Sequence, residues 1–319
     1  GAWATGVGVA SGGAAGQYNV VVGGGAGNDL TSGNYNVLMG YDAGANLTDN
    51  ARNIAIGAHA LDAATGGETY NVAIGQHALG QENSNADYCV AIGDSALAVQ
   101  NADVKNTAIG GLAGDAITTG HSNTLIGYAA GSAGTTSDGT PAFNNNTMVG
   151  HQAGMAATEG GQNTFIGAYS GDAVVTGDGN TCVGYGTGTN LLGGHSNVLM
   201  GYNAGSGVTT GAYNVAIGFQ ALDSLVANGH NNVAIGANAL AGEASGADSC
   251  VAIGLNALLV QNDASAVNLA IGKDAGLGVT TGTSNVLIGH EAGNAIADDD
   301  HNTALGYNAL KAATAGDYN

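Results

Sequence analysis

The chain has 319 residues, including 58 glycines and one proline, and only 9% of its residues are charged. Its 24 acidic and 4 basic residues give a formal net charge of −20. Four basic residues are too few to displace the counterions of a phosphate backbone, which argues against nucleic acid or anionic membranes as partners. A hydrophobic content of 44% argues against a disordered chain. No apolar run is long enough to predict insertion into a membrane.

One repeat accounts for nearly the whole sequence. In Asn71–Leu79 it reads, from position 0 to position 8, as Asn, β-branched, small or apolar, large aliphatic, Gly, two variable positions, Ala, and Leu or Gly. Position 0 recurs at residues 19, 36, 53, 71, 89, 106, 123, 146, 163, 180, 197, 214, 232, 250, 268, 285 and 302, and residue 319 opens another copy. The step in residue number is 17 or 18, with a single step of 23. A period of this size predicts a solenoid.

The repeats also fall into larger blocks along the chain. Residues 1–18 resemble a degenerate first repeat, and residues 19–319 form a continuous array. Residues 36–130 and 197–290 match each other at an offset of 161 or 162, which indicates an internal duplication. An insertion at about residues 132–145 produces the longest step. Because neither end reads as a capping repeat, we expect this sequence to be a segment of a longer chain.

Each repeat predicts β-structure. Positions 1 to 3 are β-branched or aliphatic and are bounded by Asn and Gly, which is typical of a short strand. No segment has a helical period for longer than one repeat, and frequent Gly disfavours helices. A coil of this length has room for two short strands and two turns. The predicted fold is therefore an all-β parallel β-solenoid, or β-roll, of about 18 coils.

Side-chain alternation divides the strand into two faces. Position 3 is a large aliphatic residue in every repeat, so we predict that positions 1 and 3 face the coil interior. Position 2 then faces outward, yet it is always apolar, and an exposed apolar stripe is typical of an interface. We predict that this column contacts another copy of the chain. Its proposed members include Leu38, Ala55, Ala73, Ala91, Leu125, Met148, Phe165 and Leu199.

Two further columns predict structural roles. Gly at position 4 of every repeat predicts a positive φ angle or a close backbone approach. Asn at position 0 in 15 of 17 repeats predicts an amide ladder. The exceptions, Cys89 and Cys250, are interpreted with Cys182 as small buried thiols. Representative members of the two columns are Asn36, Asn53, Asn71, Asn106, Asn123, Gly40, Gly57, Gly75, Gly93 and Gly110.

The motif Asn-Val-Ala-Ile-Gly, with Ala three residues after the Gly, resembles head repeats of trimeric autotransporter adhesins. The segments Asn302–Ala309 and Asn123–Tyr128 are similar to longer repeats of phage tail-fibre proteins. The resemblance covers residues 19–319. It implies a left-handed β-roll, a homotrimer, a virion or extracellular location, and a role in surface attachment. Adhesin repeats are generally shorter than those of this chain, which leaves the coil cross-section open.

The sequence offers little site chemistry. It contains no paired catalytic carboxylates, nucleophile elbow, phosphate loop or zinc spacing, so we predict that the chain is not an enzyme and has no cofactor. Asp298, Asp299 and Asp300 are candidate cation ligands, and Gly24–Asp29 imitates one calcium-binding nonapeptide; a solvated loop is the alternative for the acidic cluster. His59 and His77 share position 6 on neighbouring coils, with rings expected about 5 Å apart.

The insertion is the candidate recognition loop, because loops that a scaffold cannot absorb often contact partners. Its candidate residues are Thr135, Ser137, Asp138, Pro141 and Phe143. We predict a structural and adhesive fibre segment, from a virion tail fibre or a bacterial surface adhesin, that binds an unknown receptor or glycan. A self-assembling extracellular filament is one alternative. An ice-binding or small-ligand-binding solenoid is another, although Thr at position 1 is predicted to point inward.

Overall fold

The computed structural model describes residues 16, 18–64, 67–81, 86–100, 105–134, 143–224, 229–242, 246–312 and 316–319. The chain forms two compact units, Gly1–Gln162 and Asn163–Asn319. Every strand in the described ranges pairs in parallel, and those ranges contain no helix. The prediction of an all-β parallel β-solenoid is therefore confirmed. The degenerate first repeat lies almost entirely outside the described residues.

Each compact unit carries a series of three-residue strands. The first unit contains β1 Val20–Val22, β2 Val37–Met39, β3 Ile54–Ile56, β4 Val72–Ile74, β5 Val90–Ile92, β6 Thr107–Ile109, β7 Thr124–Ile126 and β8 Thr147–Val149. The second contains β9 Thr164–Ile166, β10 Thr181–Val183, β11 Val198–Met200, β12 Val215–Ile217, β13 Val233–Ile235, β14 Val251–Ile253, β15 Leu269–Ile271, β16 Val286–Ile288 and β17 Thr303–Leu305. All 17 strands occupy positions 1 to 3 of the repeat.

The strands pair in strict register, so that equal positions of the repeat lie side by side. In the first unit, for example, Val72 pairs with Val90 and Ala73 with Ala91. Each described coil contains one such strand, and turns and bends make up most of the remainder. The expectation of two strands per coil was therefore wrong. The many glycines and αL residues favour turns in the part of the coil where a second strand was expected.

The phase of the strand is opposite to the prediction. Position 2 is buried on every strand from β2 to β17, whereas positions 1 and 3 are half-buried or exposed. The proposed interface column is fully buried inside the coil: Leu38, Ala55, Ala73, Ala91, Leu125, Met148, Phe165 and Leu199. The physical reason is that the Asn amide at position 0 is buried in its ladder, and position 2 lies on the same face of the strand as position 0.

The coil interior is built from five columns, at positions 0, 2, 7, 8 and 11 of the repeat. Positions 0, 2, 7 and 8 are joined by position 11, which the sequence reasoning overlooked and which is buried at Leu47, Ile117 and Leu191. Position 7 is Ala in 15 of the 17 repeats. Its two exceptions lie on successive coils, where the Ser170 hydroxyl lies 3.0 Å from the Thr187 hydroxyl. Because both alanines are replaced on adjacent coils, each buried hydroxyl has the other as a hydrogen-bond partner.

Positions 2 and 8 share one volume. Where position 2 is bulky, position 8 is Gly, and a Cβ added to Gly205 would lie 2.6 Å from Leu199 Cδ2. Where position 2 is Ala, position 8 is usually Leu, as in the pair Ala234 and Leu240, both of which are fully buried. Close packing of interiors demands such compensation, because each coil must fill the same space.

Two coils combine Ala at position 2 with Gly at position 8. At Gly114, an added Cβ would lie 3.0 Å from Leu97 Cδ2 in the coil before and 2.7 Å from Leu125 Cδ1 in the coil after. Gly276 is placed in the same way between Leu258 and Leu287, at 2.8 and 2.9 Å. Side chains from both neighbouring coils therefore fill these two sites. Each of the two coils follows a coil with Ala at position 2 and Leu at position 8 (the Ala–Leu type). Each precedes a coil with a bulky residue at position 2 and Gly at position 8 (the bulky–Gly type).

Candidate functional site

The Asn ladder is confirmed, and its hydrogen bonds are repetitive. The Asn214 side-chain Oδ1 accepts the backbone N–H of Asn232 at 3.0 Å and its side-chain Nδ2 at 3.1 Å. The Asn214 Nδ2 donates to the Gly229 carbonyl at 2.9 Å. Each ladder member of this kind thus joins its own coil to the next through both ends of the amide. The column is structural, because amides held in this way are engaged within the protein itself.

Cysteine replaces the ladder Asn in two coils, and a buried glutamine supplies the missing hydrogen-bond acceptor. The Cys250 side chain has no amide oxygen, and the next ladder residue, Asn268, donates its Nδ2 to Gln261 Oε1 at 2.6 Å. Gln261 is fully buried at position 11, which Leu47, Ile117 and Leu191 occupy in other coils, and its own Nε2 donates to the Thr280 carbonyl at 3.0 Å. The same arrangement recurs with Cys89 and Gln100 in the first unit, where Asn106 donates to Gln100 at 2.8 Å.

We expect Gln261→Leu to lower the free energy of unfolding by about 1–3 kcal/mol, because the buried Asn268 amide then loses an acceptor, whereas the Thr280 carbonyl keeps the Asn262 N–H at 2.7 Å. Adding Cys250→Asn should recover much of this loss, since an ordinary ladder coil is restored. Urea denaturation of the single and double variants, with Cys250→Asn alone as control, measures the coupling. Equal stability of Gln261→Leu with and without Cys250→Asn would refute the pairing.

Positions 1 and 3 form an outer face, defined as these two columns together with the residues at positions −1 and 5 beside them. Neither position 1 nor position 3 is charged in any of the 17 strands. Among the described residues, all the exposed large hydrophobic side chains except Leu192 and Val260 occupy the four positions of this face. Exposed examples are Val20, Ile126 and Ile217. On a chain of net charge −20, an apolar face with an uncharged centre is the candidate interaction surface.

Aromatic stacks line the edges of this face. In the first unit, Tyr18 stacks on Tyr35 with centroids 4.9 Å apart, and Tyr70 stacks on Tyr88 at 4.8 Å. The Arg52 guanidinium lies between the two pairs, 5.6 Å from the Tyr35 ring centroid and 5.3 Å from that of Tyr70. These residues occupy position −1 and have φ angles near +60°. The αL conformation turns successive rings onto one another at the spacing of the coils.

A second aromatic stack occupies position 5 in the other unit. Tyr185, Tyr202 and Phe219 are each about half exposed, and adjacent rings lie 5.4 Å apart and nearly parallel. Ring faces are covered within the stack, so the stack exposes mainly ring edges and, on the tyrosines, hydroxyls. The outer face was missed by the sequence reasoning. The Asn ladder combined with side-chain alternation was the signal that could have identified it, because burial of position 0 places positions 1 and 3 on the outside.

The predicted recognition loop is mostly beyond the described ranges: Thr135, Ser137, Asp138 and Pro141 lie outside them. Phe143 is described, and its prediction was wrong because the ring is fully buried. A Cβ added to Gly134 would lie 2.9 Å from Phe143 Cδ1, so the ring occupies space that this glycine leaves open. Phe143 is therefore a core residue.

Two of the acidic residues predicted as cation ligands accept hydrogen bonds from backbone N–H groups. Asp299 Oδ1 accepts the Gly316 N–H at 2.9 Å, and Asp300 Oδ1 accepts the Thr283 N–H at 2.6 Å, while Asp298 is exposed. Within the described ranges the three carboxylates do not converge as a group of cation ligands. Hydrogen bonds to adjacent coils explain why acidic residues occur there.

The predicted spacing of about 5 Å between the His59 and His77 rings is confirmed. The rings of His59 and His77 stack with centroids 5.1 Å apart, and His59 Nδ1 lies 2.9 Å from Asp62 Oδ2. All three cysteines are buried thiols, as interpreted from the sequence. Burial raises the pKa of the Cys182 thiol to about 12, so at neutral pH it stays protonated and unreactive.

The described residues include no helix that could cross a membrane. No family model matches the chain, and no curated protein matches it either.

Proposed function

We propose that this chain is a structural segment of a surface fibre, on a virion or a bacterial cell, and that its outer face binds further copies of itself. The outer face is the observation that carries the proposal. The strands stack at about 4.8 Å per coil, so nine strands of the second unit give an apolar strip roughly 40 Å long. A partner that matches this strip needs the same period and a similarly uncharged surface. A second copy of the chain meets both requirements.

The available area is consistent with assembly. A strip three residues wide measures roughly 10 Å across, which gives on the order of 400 Å² of flat surface for nine strands. A standard interface buries about 800 Å² per partner, and the aromatic columns beside the strip widen it toward that value. Three copies related by a rotation axis would each present this face to the axis. A homotrimer is the state that we propose.

The described interior further supports a structural role. The columns at positions 0, 2, 4, 7 and 11 are engaged in packing or in hydrogen bonds between coils. Attachment to a receptor or glycan then falls to surface residues outside these columns. The proposal places the chain outside the cell.

Sedimentation equilibrium at micromolar concentration tests the assembly. We expect an oligomer for the native chain, dissociation by Ile217→Glu, and no change with Leu192→Glu. Ile217 lies on the outer face, and Leu192 is an exposed apolar residue outside its four columns. Comparing the two variants therefore distinguishes assembly through the outer face from nonspecific association of exposed apolar side chains. A native chain that remains monomeric at tens of micromolar would contradict the proposal.

An ice-binding solenoid is the second candidate, because position 1 faces outward, contrary to the sequence prediction. Thr107, Thr124 and Thr147 lie side by side on strands β6 to β8, each half-buried, with Ile or Val two residues on. Such a regular Thr row removes the objection that the hydroxyls point inward. A thermal hysteresis measurement decides this candidate: a freezing-point gap that Thr124→Lys abolishes would favour it, and no gap would end it.

A further inference from the structure

Three metal-ligating side chains meet in the second unit, beside the strip formed by positions 1 and 3. One ligand atom from each of Asp274, His290 and Glu291 lies within 4.8 Å of the others. Asp274 and Glu291 occupy position 6 of successive coils, and His290 occupies position 5. It is the one group of its kind in the described ranges. The sequence reasoning missed it because the ligands come from different coils, although aligning the position 6 column would have placed them together.

Two buried atoms at this place have no hydrogen-bond partner. They are His290 Nδ1 and Asn308 Oδ1. Asn308 continues the position 6 column in the next coil, and its backbone N–H donates to the His290 carbonyl at 3.0 Å. His290 Nδ1 lies 3.7 Å from Glu291 Oε2, which is too long for a hydrogen bond. Buried polar atoms without a partner destabilise the fold, so their coincidence beside two carboxylates requires an explanation.

Neighbouring residues hold the ligands in position. Asn256 Nδ2 donates to Asp274 Oδ1 at 2.9 Å, and only 9% of Asp274 is exposed. The Tyr307 ring stacks on His290 with centroids 5.3 Å apart. Fixed carboxylate and imidazole orientations of this kind are what supporting contacts provide at metal sites.

Two lysines compensate the charge of the carboxylates. Lys273 Nζ lies 3.3 Å from Asp274 Oδ2, and Lys311 Nζ bonds to Glu291 Oε2. Both lysine side chains are about half exposed, so each can move into solvent without opening the core. An incoming dication would therefore replace positive charge that is already present.

We propose that Asp274, His290 and Glu291 bind one divalent cation of the zinc class, with the Asn308 side-chain oxygen as a further ligand. A mixed set of imidazole nitrogen and carboxylate oxygens suits Zn²⁺, which takes these ligands in four-coordinate sites. The cation joins three successive coils and displaces Lys311 from Glu291. This inference does not depend on the proposed function, since it rests on the position 6 column and is measured by metal uptake, whereas the proposed function is measured by assembly.

Titration calorimetry with zinc chloride on the whole chain tests the site. We expect one equivalent to bind, His290→Ala to weaken binding at least tenfold, and Lys311→Met to strengthen it several-fold by removing the competing ammonium. Position 5 is already Ala at residues 58, 168 and 237, so His290→Ala is compatible with the fold. His121→Ala, at an exposed histidine in the other unit, is the matched control and should leave the affinity unchanged.

Thermal denaturation gives an independent readout. Zinc should raise the melting temperature of the native chain and of Lys311→Met, and leave that of His290→Ala unchanged. The site is overturned if the native chain takes up no zinc, if His290→Ala binds it as tightly, or if Lys311→Met weakens the binding.

Discussion

Replacing Asn214 with alanine should lower the free energy of unfolding by about 3 kcal/mol or more, one of the two largest effects we expect. The substitution leaves the Asn232 backbone N–H and the Gly229 carbonyl in the core without the partners they have at 3.0 and 2.9 Å. Each buried group left unpaired costs about 1–3 kcal/mol, and a small cavity adds to this. The effect should appear as a lower urea midpoint.

Asn190→Ala is the control for this prediction. Asn190 also donates its Nδ2 to a neighbouring coil, to the Ser206 carbonyl at 2.7 Å, but it is exposed. Water can replace that bond, so the midpoint should change little. If both variants lose the same stability, the buried ladder bonds contribute no more to the free energy of unfolding than an exposed bond does, and the prediction is wrong.

Gly110→Ala should destabilise the first unit by more than about 3 kcal/mol, the sum of backbone strain and overpacking. The φ angle of Gly110 is +138°, in a region that only glycine adopts readily, and an added Cβ would lie 2.4 Å from the Gly127 carbonyl oxygen. That oxygen belongs to the backbone of the next coil, which is held by strand pairing. Neither the strain nor the clash can be relieved by a side-chain movement. Circular dichroism during thermal unfolding measures the loss.

The adjacent glycine provides the matched comparison. Gly111 lacks a positive φ angle, and a Cβ added there would meet Tyr128 Cδ2 at 3.7 Å, an ordinary contact. Gly111→Ala should therefore change stability by less than about 0.5 kcal/mol in either direction. A large loss at Gly111, or a negligible one at Gly110, would show that backbone conformation at position 4 does not determine the bend.

The repeat period was sufficient to predict the fold class, the Asn ladder and the glycine bend, because each is a direct consequence of stacking equal positions. The interior face was predicted wrongly. Position 3 is invariably large and aliphatic, as at Ile74 and Ile126, and this was interpreted as the mark of a core. A face that contacts a partner has the same composition, so hydrophobicity alone could not distinguish the two.

The correct phase was nevertheless present in the sequence. Asn71 belongs to a ladder that stabilises best when it is buried, and Ala73 lies two residues later on the same side of the strand. The ladder and the alternation together place the interior on the side of the strand that carries Asn71 and Ala73. Pairings between distant positions, such as Cys250 with Gln261, also require the coil geometry, because no local propensity connects them.

The shared volume of positions 2 and 8 restricts how such an array can grow. A coil with Leu199 and Gly205 and a coil with Ala234 and Leu240 fill their interiors differently, and the junction coil of Gly276 lies where the Leu258 coil is followed by the Leu287 coil. Deleting or copying one junction coil would bring unmatched surfaces together. Copying a block at an offset of 161 or 162 preserves every neighbour inside the block. Coils of this kind cannot be exchanged freely. We therefore expect the array to have grown by duplication of whole blocks and not of single repeats.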